Sequence, residues 1–321
     1  GKWMSVEGTS PQPELWAQFT LPDVSKEYKA QPLEYLDYVF GYQGENSLSR
    51  VLQDHLGLAA ATQVMFDVQS TGTSAFFVVT LTPLGRKHPE SVLDVLYSYI
   101  AFLRSHGVDK DLYNTIKDVT KLKWDWSEPD GPSSTASSLA ERMTRVPLEA
   151  VLSGDSRIDQ PNFKLVDSLI RRLTPDKMNV AFVVPNYTQH HLRKAEIKTL
   201  PYYDLKYSVE NLSTVLPGAA RRWENWLHAK TSNETIRDEM FKRLRANGVA
   251  ASGTPETLPA PPRPIDGVPK DISLVHMHAQ HVKESKDAGL DEALFGPRAT
   301  MVPMDSKPTE ATAVVQTNFI R

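Results

Sequence analysis

The stretch T62-Q-V-M-F-D-V-Q-S-T-G-T-S-A-F-F-V-V-T-L81 decides how this chain folds. Val64, Phe66 and Val68 recur at every second position of 62–69, the period of a half-buried strand. Residues 74–81 form a second strand-forming run, and Ser70-Thr-Gly-Thr73 between them is a turn. Two such runs joined by a short glycine-bearing turn predict an antiparallel hairpin.

Upstream, Leu15, Ala17, Phe19 and Leu21 share one face of a strand that Pro22 ends. Pro32 suits the first turn of a helix whose stripe is Leu33, Leu36 and Phe40. That helix stops at Gly41. A second one carries Leu48, Val51, Leu52 and Leu56, with Asn46 or Ser47 as N-cap and Gly57 as its stop.

Downstream, Val92, Leu93, Leu96, Tyr99, Ile100 and Leu103 predict a helix over 89–105, capped by Gly107. Another long helix carries Leu112, Ile116, Val119 and Trp126, and Glu128-Pro-Asp-Gly-Pro132 ends it. Shorter helical pieces fall at about 134–152 and 162–172, before a strand over 177–184 with Met178, Val180, Phe182 and Val184 alternating. The pattern predicts an α+β fold, a mostly antiparallel sheet covered by helices.

Beyond Arg222 the composition changes. A polar helix over 233–246 leads into six prolines between Pro255 and Pro269, a linker or an extended surface strap. The expected organisation is an α+β domain over 1–230, a Pro-rich, partly flexible insertion or appendage over 231–310, and a terminal segment over 311–321 that closes the domain.

The net charge of −3 over 321 residues gives no reason to expect nucleic acid or an anionic membrane as partner. No cysteine occurs, which excludes disulfides, thiolate metal sites and cysteine nucleophiles. This fits a cytoplasmic, reducing compartment, and also a large secreted protein that does without cysteine. No apolar run approaches the roughly 18 residues of a membrane span, and no signal peptide opens the chain. The start Gly1-Lys-Trp-Met4 reads as a piece of something longer.

The chain carries no G-x-S-x-G elbow, Walker loop, G-x-G-x-x-G, H-E-x-x-H or H-x-x-E-H. His276-Met-His278-Ala-Gln-His281 has a spacing that could bring two or three imidazoles together on zinc, copper or nickel; otherwise it is a polar surface segment. Trp124-Asp-Trp126 reads as a binding platform or as core and interface residues. Gly41-Tyr-Gln-Gly-Glu45 is either a plain corner between helices or a surface that holds something.

A run of motifs in fixed order resembles one family. It begins at Phe19-Thr-Leu-Pro-Asp23 and passes through Tyr28-Lys29, Pro32, Tyr35-Leu36 and Gly41-Tyr-Gln-Gly-Glu-Asn-Ser-Leu48. Leu81-Thr-Pro-Leu-Gly85, Tyr99-Ile100, Leu103-Arg104, Pro147-Leu-Glu-Ala-Val-Leu152 and Leu173-Thr-Pro-Asp176 follow. Tyr203 to Tyr207 and the terminal Thr317-Asn-Phe-Ile320 complete it, with Tyr202 where the family has tryptophan. Over roughly 15–210 the chain resembles the insulysin-type (insulinase, pitrilysin) inverted zinc metallopeptidases, in the second, non-catalytic domain of their N-terminal half.

The resemblance implies a LuxS/metallohydrolase-like α+β domain from a clam-shell endopeptidase whose two halves enclose a chamber for peptides. Zinc would sit on the H-x-x-E-H of the first domain, not on this chain. The partners implied are that catalytic domain, the C-terminal half and peptide substrates. Gly41, Tyr42, Gln43, Gly44 and Glu45, with the strand after Gly57, would form an exosite for the substrate's N-terminal end. Gln43 stands where the family has an acid, and Val64-Met65 where it has a glycine pair. The alternative is a structural or assembly subunit of the same fold without protease activity.

Overall fold

A computed structural model describes residues 1–69, 71–127, 131–154, 156–185, 197–228, 230–250 and 254–264, and the backbone of 276–277 and 312–313. Two compact units divide the chain, Gly1–Asp266 and Gly267–Arg321.

The hairpin stands as read. β3 (Ala59–Gln69) and β4 (Gly72–Leu81) pair antiparallel, with Val64 opposite Phe77 and Phe66 opposite Ala75. β2 (Glu14–Leu21) joins the other side of β4, and β5 (Met178–Pro185) joins β2, both antiparallel. Sequence reading did not show β1 (Lys2–Gly8), β6 (Lys198–Leu200) or β7 (Leu205–Asn211). β1 runs parallel to β5 and antiparallel to β7. Its inward positions are Trp3 and Ser5, so apolar alternation is missing although both side chains are buried. Among the described residues the sheet order is β3-β4-β2-β5-β1-β7-β6, and β3 and β6 are its edges.

Leu15, Ala17, Phe19 and Leu21 of β2 share one buried face with Ala75, Phe77 and Val79 of β4 and Val180 and Phe182 of β5. Against it lies α4 (Pro89–His106), buried almost all round from Ser91 to Leu103. A helix buried on every side needs a second layer. α7 (Phe163–Ile170), α9 (Ala219–Trp226) and α10 (Asn233–Ala246) supply it. Tyr97 of α4 stacks on Trp223 of α9 with ring centroids 4.6 Å apart. The chain also forms α1 (Pro32–Gly41), α2 (Leu48–Arg50), α3 (Pro83–Lys87), α5 (Lys110–Asp125), α6 (Pro132–Arg142) and α8 (Leu212–Val215).

The helix expected after residue 47 winds wider than an α-helix over most of its length. After the α2 turn, Val51–His55 winds as a π-helix, and Leu56 N–H reaches back five residues to the Val51 carbonyl. Gly57, at φ 61°, ends it as expected.

Residues 231–266, placed outside the core by composition, lie within the first compact unit. Ile236, Met240, Phe241 and Leu244 of α10 are buried. The Arg243 guanidinium donates to Asp94, fully buried on α4, at 3.2 Å. Arg222 and the Trp223 indole donate to the same carboxylate at 2.7 Å each. Trp126, just past α5, is 48% exposed, so it is a surface residue of this chain. In the second unit the described backbone is one short pairing, β8 (His276–Met277) with β9 (Thr312–Ala313). Among the described residues no helix is long and apolar enough to cross a membrane.

Candidate functional site

The loop at 41–45 is placed by α1, and α1 is pinned at both ends. Gln31, in the left-handed region just before it, donates from its side chain to the Arg157 carbonyl at 2.6 Å. Near the C-terminus the Tyr99 hydroxyl, from α4, donates to the Val39 carbonyl at 2.8 Å. This satisfies one of the carbonyls that every helix end leaves open. Midway, the Tyr35 hydroxyl accepts the Asp109 N–H at 3.1 Å, and its ring lies 5.1 Å from that of Tyr113. Burial pushes both phenols up to about 12.

After Gly41 the backbone becomes extended at Tyr42. The Tyr42 ring stacks on Tyr38 one helical turn back, centroids 6.4 Å apart, and covers Gly44. A Cβ on Gly44 would stand 2.0 Å from the Tyr42 hydroxyl, so any larger residue there must displace that ring. Gly41 differs, because its Cβ would meet Val64 Cγ1 of β3 at 3.5 Å, an ordinary contact. Ser47 is the N-cap of α2, its hydroxyl accepting the Arg50 N–H at 3.1 Å, while Asn46 takes a left-handed backbone at φ 58°.

The loop therefore sits beside the middle of β3. Among the described residues β3 has a strand partner on one side only, which leaves a row of backbone donors and acceptors along the other. The side chains of Gln43 and Glu45 are exposed at the loop's tip. Toward the other end of the same edge, Val68 lines a cleft of about 310 Å³ with Val24, Tyr28, Leu33, Glu34 and Arg142. Such an edge can accept an extended peptide by backbone hydrogen bonds, with a carboxylate near one end to meet an amine. Tyr38 was not singled out from the sequence. Its i, i+4 spacing to Tyr42 is the signal that marks it.

The histidine group is not brought together by what is described. His276 contributes backbone to β8, while His278 and His281 lie outside the described residues, as do His190 and His191. Among the described residues no group of three or more His, Asp or Glu side chains could hold a metal ion.

Two family models match the chain in succession, between residues 4 and 263. "Peptidase M16 inactive domain" covers residues 4–119, and "Middle or third domain of peptidase_M16" covers 124–263. The chain belongs to the M16 peptidase family. Its M16 relatives include insulin-degrading enzyme of Drosophila melanogaster, 26% identical over 66% of this chain and 20% of that protein. Protease 3 of Salmonella typhimurium is 22% identical over 85% of this chain and 25% of its own length. Human nardilysin is 22% identical over 62% of this chain and 17% of its own length. Pitrilysin superposes with a TM-score of 0.67 over 85% of this chain and 25% of that one, at 20% identity, which establishes the M16 fold. The chain thus spans about a sixth to a quarter of the length of these relatives. It is an inactive domain of this metallopeptidase family.

Proposed function

We propose that this chain is the non-catalytic domain of an insulysin-like zinc metalloendopeptidase, and that it holds peptide substrates at an exosite. The observation that carries the reading is that the loop at the end of α1 packs beside β3, the Gly41 Cβ position lying 3.5 Å from Val64 Cγ1, and that among the described residues β3 has a strand partner on one side only. An extended peptide pairs with β3 and passes between the loop and the Val68 cleft. Gly44 makes room for the Tyr42 ring to lie against the loop. Gln43 supplies an amide where a charge would pair with the α-amino group, so Glu45, exposed two residues on, is the acid available for that role.

On this reading zinc is held by the catalytic domain of the parent enzyme, and the part that falls to this chain is to hold the substrate. What this domain contributes is position. Energy gained along the strand edge holds a long substrate in register with a distant reactive centre.

The test is fluorescence anisotropy with a labelled peptide of roughly 15 residues, long enough to pair along the edge. The intact chain should bind it, and acetylating the peptide's amine or making Glu45→Gln should weaken binding by about two- to five-fold. Equal binding by free and acetylated peptides removes the amine-anchoring role. The pure chain should hydrolyse no peptide, with or without a chelator; chelator-sensitive cleavage by it overturns the assignment.

A further inference from the structure

Residues 259–262 read Pro-Ala-Pro-Pro, so in that run the one backbone N–H belongs to Ala260. It donates to the Asn46 carbonyl at 2.8 Å. Pro259 and Pro262 are buried and Leu258 packs against the hydrophobic core, which a solvated linker does not do.

The start of this strap is fixed as well. Gly248, at φ 71°, turns the chain out of α10, and the N–H groups of Val249 and Ala250 both donate to the Leu244 carbonyl. Arg245 of α10 pairs with Glu256 of the strap, and Arg243, two residues back, is held by Asp94 of α4. A continuous set of contacts thus runs from the central helix through α10 and the strap to Asn46.

The bond at Asn46 has a specific geometric effect. The peptide unit between Asn46 and Ser47 is held at both ends, its carbonyl by Ala260 and its N–H by the Gly44 carbonyl at 3.2 Å. A peptide unit is planar, so fixing both groups fixes the direction in which the loop leaves α2. Asn46 is also held in the left-handed backbone region, which asparagine tolerates better than most residues.

We propose that the strap 254–264 positions the peptide-holding loop, with Ala260 as its positioning residue. The binding half of this statement rests on the exosite reading above; the structural half does not. Ala260→Pro removes the donor and sets a ring methylene against the Asn46 carbonyl, while the backbone between prolines is already extended. Ala260→Gly keeps the donor and is the control. In the full chain, Ala260→Pro should speed amide hydrogen exchange at 42–47 by about five-fold and weaken peptide binding by a similar factor, while Ala260→Gly restores both. If Ala260→Pro does not fold, Leu258→Ser loosens the strap without touching the loop and should speed exchange at the same residues. Unchanged exchange at 42–47 overturns the proposal, and so does faster exchange with undiminished binding. If the unsubstituted chain binds no peptide, the exosite reading falls with the binding half, and exchange alone decides whether the strap holds the loop.

Discussion

Two glycines frame the candidate loop, and they are not equivalent. Gly44→Ala must displace the Tyr42 ring and break its stack on Tyr38, so peptide affinity should fall about ten-fold in anisotropy measurements. Gly41→Ala meets only an ordinary contact with Val64. Its affinity should stay within about two-fold, and the helix end should gain roughly 0.5 kcal/mol. The motif itself was legible in sequence because glycine spacing is a local signal. The difference between its two glycines was not, because it depends on where one aromatic ring settles. A pH effect arises beneath the same loop. Tyr35 and Tyr113 have folded pKa values of about 12, above the ordinary phenol value of 10.0. The stability they contribute is complete below the unfolded value and is lost as pH climbs from 10.0 toward 12. Denaturant midpoints measured across that window should fall, and Tyr113→Phe should flatten the slope.

At the scale of elements, Asp94 holds three donors from two helices: Arg222, Trp223 and Arg243. Asp94→Ala leaves Arg222 and Arg243 with Glu90 as their one carboxylate and the Trp223 indole without its acceptor, and should cost about 2 kcal/mol, read as a shift in denaturant midpoint. Arg243→Met removes one donor and keeps the aliphatic packing, so it should cost about half as much. β2, β4 and β5 were readable because their inward positions are apolar in strict alternation, as in Met178, Val180, Phe182 and Val184. β1 and β7 turn the serines Ser5 and Ser208 inward, and their strand character comes from pairing with each other and with β5. α10 looked like an exposed polar helix because its four buried residues are outnumbered by charged ones. An acid buried on α4 decides its place, and no local pattern announces that.

At the scale of the molecule, the first compact unit runs to Asp266, and this sets where the chain can be cut. Truncation after Asp266 should leave the cooperative unfolding transition in place. Truncation after Lys230 uncovers α4, strips Asp94 of Arg243 and removes four buried side chains of α10. That fragment should lose several kcal/mol and unfold near ambient temperature in a thermal melt. The free side of β3 has a consequence of another kind. Eleven residues with apolar content and, among the described residues, no strand partner on one flank are a template that does not distinguish a guest from a sister molecule. In concentrated solution the isolated chain should therefore dock edge to edge and scatter light. A saturating peptide should then act as a solubiliser, clearing the turbidity by occupying the seat that a second copy would take.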